Sequence, residues 1–139
     1  MRALALIVAA ALLAGCQEGS AESEEPEAAV VEAIEGSQAH KLVLTDEAIQ
    51  RLGIKTETVA AAAAGGQAVI PMTAVLYDPD GSTWTYTNPE PKTYVRQQVA
   101  IAKVENDRAI LSSGPAAGTA VVVVGSAELL GTENGVGGG

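Results

Sequence analysis

Ala74-Val75-Leu76-Tyr77-Asp78-Pro79-Asp80-Gly81-Ser82-Thr83-Trp84-Thr85-Tyr86 is the stretch from which the fold can be read. Asp78-Pro79-Asp80-Gly81 is a strong turn signal: Pro79 fixes φ at the second position and Gly81 accepts a positive φ. β-formers stand on both sides, so the pattern predicts a hairpin, with one strand over 67–77 and the return over 83–87. Pro71 implies an edge position or a bulge in the first of these strands. Outward from the hairpin the same alternation continues. Residues 93–104 read as a long, bulged strand, turned by Glu105-Asn106-Asp107 into a strand over 108–111. Ala120-Val121-Val122-Val123-Val124 is a continuous apolar run of the kind that is buried on both faces. Upstream, 41–44 and 54–59 read as short strands. Between them Thr45 is placed as N-cap, Asp46 and Glu47 favour the first helical turn, and Gly53 ends the helix. Residues 127–130 suit one further helical turn. Many short strands with regular turns predict a mainly β fold, a small β-barrel or sandwich with one short helix.

The N-terminus carries a different signal. Met1-Arg2 leads into the unbroken apolar run Ala3 to Leu13, which has the length of a signal-peptide core; a spanning helix needs about 20 such residues. The run ends in Leu13-Ala14-Gly15-Cys16, which resembles the lipobox of bacterial lipoproteins. The resemblance implies cleavage before Cys16, diacylglycerol on its thiol and acylation of its amine. Cys16 is the sole cysteine of the 139 residues, so no intramolecular disulfide can form, and an exported chain would otherwise carry an unpaired thiol. Two or more acyl chains anchor stably where one does not. The expectation is a periplasmic lipoprotein. Gln17 in place of Asp points to the outer membrane by the sorting rule of enteric lipoproteins.

The organisation expected is a signal peptide over 1–15, a lipidated Cys and flexible acidic spacer over 16–40, a β domain over 41–133, and a glycine-rich tail over 134–139. The spacer holds Glu18, Glu22, Glu24, Glu25, Glu27, Glu32 and Glu35 without Lys or Arg, and so supplies most of the net charge of −9. Such a composition buries too little apolar surface to offset the entropy of ordering. The alanines and glycines of 60–66 read as a linker. With no basic patch, nucleic acid is not an expected partner.

No constellation of catalytic residues stands out, and neither an enzyme nor a cofactor is expected. His40 is the single histidine, and the reading preferred for it is a solvated side chain at the spacer boundary. Asp78 and Asp80 read as turn residues ahead of a catalytic pair or calcium site. Ser112, Ser113 and Ser126 have no histidine near them in sequence, and no nucleophile-elbow spacing occurs. Trp84, Tyr86 and Tyr94 read first as hairpin packing; as the alternative, they and Arg96 are the candidate partner contacts.

The hairpin stretch, with Asn88-Pro89-Glu90-Pro91, Tyr94-Val95-Arg96, Ser113-Gly114, Val121 to Gly125 and Ala127-Glu128-Leu129-Leu130, resembles the C-terminal part of periplasmic adaptor subunits (membrane fusion proteins) of RND-type efflux pumps. Leu42-Val43-Leu44-Thr45, Ala48-Ile49 and Leu52-Gly53-Ile54-Lys55-Thr56 are similar to the segment that opens the folded region of many adaptors. The family implies a membrane-proximal domain built from both chain ends. Its lipoyl-like, hairpin and barrel domains lie between those ends, where this chain has only 60–66; closing so short a loop has a low entropy cost. The resemblance implies a noncatalytic accessory that docks on an RND-type transporter or a full-length adaptor. Lipidated adaptors stay at the inner membrane, which leaves the choice of membrane open. The alternative from another class is a periplasmic metal-binding protein linked to metal efflux, with His40, Met72 and the acidic spacer as ligands.

Overall fold

A computed structural model describes residues 27–135. The expected signal peptide with Leu13, Ala14 and Gly15, the expected lipid attachment at Cys16, residues 17–26 of the acidic spacer and residues 136–139 of the tail lie outside the described residues. The fold is mainly β, half of it strand, in a nearly closed barrel-like sheet with two short helices.

The first strand, β1, is Ala29–Ala33, and it pairs antiparallel with β2, His40–Leu44. This corrects two expectations: the spacer does not remain free to residue 40, and the folded body begins before Lys41. The physical reason is cross-strand. Gly36 turns the chain at φ 78°, and Glu32 then stands opposite Lys41, with its Oε2 2.5 Å from Nζ. A count of acidic residues sees the charge of Glu32 but not the lysine that register sets beside it.

Thr45 caps α1, Asp46–Leu52, by accepting from the Ala48 amide at 3.2 Å, and Gly53 ends it at φ 66°, as the sequence predicts. Next come β3, Lys55–Thr58, and β4, Ala60–Ala61, separated by the buried Val59. The expected linker over 60–66 is instead a hairpin. Ala60 and Ala61 pair with Val69 and Ala68 of β5, Ala68–Pro71, and Gly65 and Gly66 supply positive φ near its tip. The single strand expected over 67–77 is also broken. After Pro71 a 3-10 turn over Met72–Ala74 tucks Ala74 fully into the core before β6, Leu76–Tyr77.

The Asp78–Gly81 turn forms as read, with the Gly81 amide donating to the Asp78 carbonyl at 2.9 Å. Strand β7, Thr83–Glu90, runs past its expected end because a register shift between Thr87 and Glu90 absorbs Asn88-Pro89. The long strand β8 is Thr93–Glu105, irregular between Ala100 and Lys103. Asn106 and Asp107, both at positive φ, make the two-residue turn into β9, Arg108–Ser113. This is the geometry that suits a tight hairpin. Strand β10, Ala120–Val124, leads into α2, Ser126–Glu133, which extends the helical turn expected over 127–130 into a second helix.

The strand order is β3-β10-β7-β8-β9-β5-β4. Since β3 and β4 are joined through Val59, the two ends of that path meet in the chain itself. Strand β2 joins β8 beside β7, and β6 joins β7. Two cores result. One, inside the barrel, includes Val59, Ile70, Val99, Leu111 and Val121. The other, beneath α1 and α2, includes Leu42, Leu44, Tyr86, Tyr94, Val122 and Leu129. Val121 and Val122 point to opposite faces, so β10 serves both cores; the run is buried at its centre, and Val124 is exposed.

Helix α2 starts from Gly125 at φ 92°, where an added Cβ would lie 2.4 Å from Ile54 Cδ1 and 3.4 Å from the Leu52 carbonyl oxygen. Gly125→Ala is expected to cost about 1–3 kcal/mol through the left-handed backbone and the displaced Ile54. Urea unfolding measures it.

Candidate functional site

The polar centre of the molecule is the carboxylate of Glu133, at the last position of α2. Three features fix that position: the start at Gly125, a hydrogen bond from Ser126 Oγ to the Val122 carbonyl at 3.2 Å, and the fully buried Leu129. Glu133 lies four residues beyond Leu129, hence on the same helical face. Its side chain is only 1% exposed.

Four donors converge on it. The Tyr86 hydroxyl donates to Oε2. At Oε1 it meets the His40 amide at 3.2 Å, His40 Nδ1 at 3.3 Å and Arg96 Nη2 at 3.3 Å. Arg96 is itself 9% exposed, and its Nη1 reaches Asp78 Oδ2 at 3.3 Å. Its guanidinium lies 4.5 Å from the centre of the Trp84 ring, a cation–π contact. Trp84 Nε1 donates to Ser82 Oγ at 2.9 Å, and Ser82 donates through its amide and its hydroxyl to Asp80 Oδ1. The Ser82 hydroxyl is also the main cause that lowers the Asp80 carboxyl below its ordinary value. A chain of contacts therefore runs from the turn at 78–81 through Arg96 to the end of α2.

Register explains the convergence. Tyr86 stands directly opposite Arg96 in the β7–β8 ladder, and β2 lies against β8 through Leu42 and Tyr94. Burial, followed by the hydrogen bond to Glu133, pushes the Tyr86 phenol well above its ordinary value. Three of these contacts, from β2 and β8, fall on Oε1, and Tyr86 from β7 meets Oε2. In this arrangement Glu133 neutralises a buried guanidinium and pins α2 to the sheet.

The residues singled out from sequence fall into two groups. Tyr86 and Tyr94 are buried, and Arg96 is nearly so. Their reading as partner contacts is corrected, because hairpin packing and the Glu133 carboxylate use the same surfaces. Trp84 is half-buried beneath Arg96. The reading of His40 as merely solvated is corrected as well: 39% of its side chain remains exposed, but Nδ1 is turned to Glu133. Met72 packs on the barrel core, whereas His40 lies by the second core, so the structure does not gather them into one donor set. Among the described residues no three His, Cys, Asp or Glu side chains form a cluster fit for a metal. Asp78 and Asp80 are turn residues as read, with Asp78 also holding Arg96. Glu133 itself was missed. The available signal was an acidic residue one turn after Leu129, on the face of a short apolar helix.

Two outcomes test the arrangement. Glu133→Gln, which leaves Arg96 with Asp78 as its remaining carboxylate, is expected to destabilise by about 1–3 kcal/mol in urea titrations. A phenol whose folded-state value is raised gives its full stabilisation below the unfolded value, and loses it as pH climbs from there toward the folded value. Unfolding free energy should therefore fall with pH above about 10, and Tyr86→Phe should reduce that slope, as chemical denaturation between neutral pH and pH 11 would reveal.

In comparisons with known proteins, no family model, no curated protein and no solved structure matches the chain.

Proposed function

We propose that the chain is a lipoprotein anchored through Cys16 on the periplasmic side of a membrane. It acts there as a noncatalytic accessory of an RND-type efflux system, by docking on the transporter or on a full-length adaptor. The observation that carries the reading is the way the two halves of the chain interlock. β2 and β3, before the hairpin at 60–71, pair with β8 and β10, after it. That is the construction implied by the resemblance, a membrane-proximal domain assembled from both chain ends, with a tight hairpin where the family carries further domains. Leu13-Ala14-Gly15-Cys16 supports the anchor. The noncatalytic part of the reading is supported by the structural use of Glu133, whose carboxylate is buried against Arg96, Tyr86 and His40.

Since Tyr86 and Tyr94 face inward, docking falls to exposed apolar residues. Tyr77 is 62% exposed, and it sits at the foot of the 78–81 turn, opposite Thr83. Mild crosslinking in cells, followed by purification of the tagged protein and mass spectrometry, is expected to recover an RND transporter or a full-length adaptor. Recovery should drop for Cys16→Ser and for Tyr77→Ser. If neither protein is recovered with the unaltered chain, the proposal fails.

A further inference from the structure

The chain has three asparagines, Asn88, Asn106 and Asn134. An asparagine is chemically labile where the amide nitrogen of the next residue can reach its side-chain carbonyl carbon. Asn88 precedes Pro89, which has no N–H to give up, and its Nδ2 donates to the Glu90 and Thr93 carbonyls at 2.7 and 2.8 Å. Asn106 precedes Asp107, whose Cβ crowds the attacking nitrogen, and the tight turn holds both at positive φ. Asn134 is exposed at the end of α2, and its side chain makes no hydrogen bond among the described residues. The next residue, Gly135, has no side chain to shield its nitrogen, and a Cβ added there would meet nothing within 4 Å. What restrains this pair is the helix end. The Asn134 amide donates to the Leu130 carbonyl at 3.0 Å, and the Gly135 amide to the Thr132 carbonyl at 3.1 Å. Gly135, at φ 72°, is the left-handed residue that stops the helix. The nitrogen that would attack is thus committed to Thr132 until the last turn opens, and Glu133 pins that turn to Tyr86, Arg96 and His40.

We propose that Asn134-Gly135 is a site of spontaneous deamidation, gated by the opening of the last turn of α2. The freed Gly135 nitrogen loses its proton to hydroxide and bonds to Asn134 Cγ; the Cγ–Nδ2 bond breaks, and ammonia leaves. Water then opens the five-membered imide at either carbonyl, giving aspartate or isoaspartate. The net change is one water consumed and one ammonia released. Either product places a carboxylate at the C-terminal end of α2, where the helix dipole disfavours an anion. Isoaspartate also inserts a methylene into the backbone directly after Glu133. The modification therefore weakens the same turn whose opening allows it. The site uses neither a lipid on Cys16 nor an efflux partner, and stands apart from both.

The test incubates the full chain at mildly alkaline pH and maps its peptides by mass spectrometry. A one-dalton gain is expected at Asn134 ahead of Asn88 and Asn106, with isoaspartate in part of the product, and Asn134→Gln should remove it. The rate should rise roughly tenfold or more in urea, where the turn is gone. Tyr86→Phe, which removes one contact holding Glu133, should raise it roughly five- to thirtyfold in the folded chain. Ile70→Val, in the barrel core, controls for general destabilisation and should leave it within about twofold. Asn134→Asp, which carries the charge of the product, should speed hydrogen exchange at the α2 amides and leave the Val121 amide unchanged. If Tyr86→Phe does not fold, the urea comparison and Asn134→Asp decide. An intact Asn134, or a faster reaction at Asn106, would overturn the site. Equal rates in urea and in buffer, or equal acceleration by Ile70→Val and Tyr86→Phe, would overturn the gate. Unchanged exchange in Asn134→Asp would overturn the weakening of α2.

Discussion

Val121 and Val122 are neighbours in one strand, and each is completely buried in a different core. Strand β10 is the wall those cores share, and everything else is arranged around it. A Phe-free chain of this size has limited apolar material. A wall that buries both of its faces uses each residue to the full, and it obliges the barrel on one side and the helices on the other to form together. The same strand fixes α2, because Gly125 follows it directly and turns the chain toward the second core. Removing bulk at either valine would leave a cavity with little freedom to collapse, the situation in which core truncations are most costly.

The second core differs in kind from the first. The barrel interior is filled by aliphatic side chains, whereas Tyr86 and Tyr94 bring polar ends into the region under the helices. Burying a phenol and a guanidinium requires partners, and Glu133 serves both. The end of α2 is thus held by directional contacts, where packing alone would leave its last turn free to fray. His40 adds an amide and a ring nitrogen from β2, so the segment that brings the chain into the sheet and the helix that ends the described part are tied at one carboxylate.

Much of this was legible in the amino-acid sequence, and the reasons differ by element. The Asp78–Gly81 turn, the α1 cap at Thr45, the long β8 and the Asn106-Asp107 turn are local: their determinants lie within a few residues, and each was read correctly. The mainly β architecture followed from their spacing. What could not be read is decided across the chain. β1 is set by its five-residue ladder with β2, which places Glu32 opposite Lys41, and the alanine-rich segment at 60–66 enters a hairpin whose second strand, β5, pairs with β9. Glu133 reads as a surface residue until the β7–β8 register places Tyr86 and Arg96 beside it. The aromatic residues of the hairpin were visible as candidates, but whether they face a partner or the interior depends on α2, which lies far along the chain.

The joining of β3 to β4 through Val59 has a consequence for how the chain is threaded. The barrel path begins and ends on either side of that one residue, so the sheet behaves as a closed loop with the covalent chain as its final link. Cutting the chain at Gly65-Gly66, in the tip of the hairpin between β4 and β5, would keep every strand neighbour and leave Val59 as the link that closes the sheet; exposed glycine-rich tips are where such cuts are best tolerated.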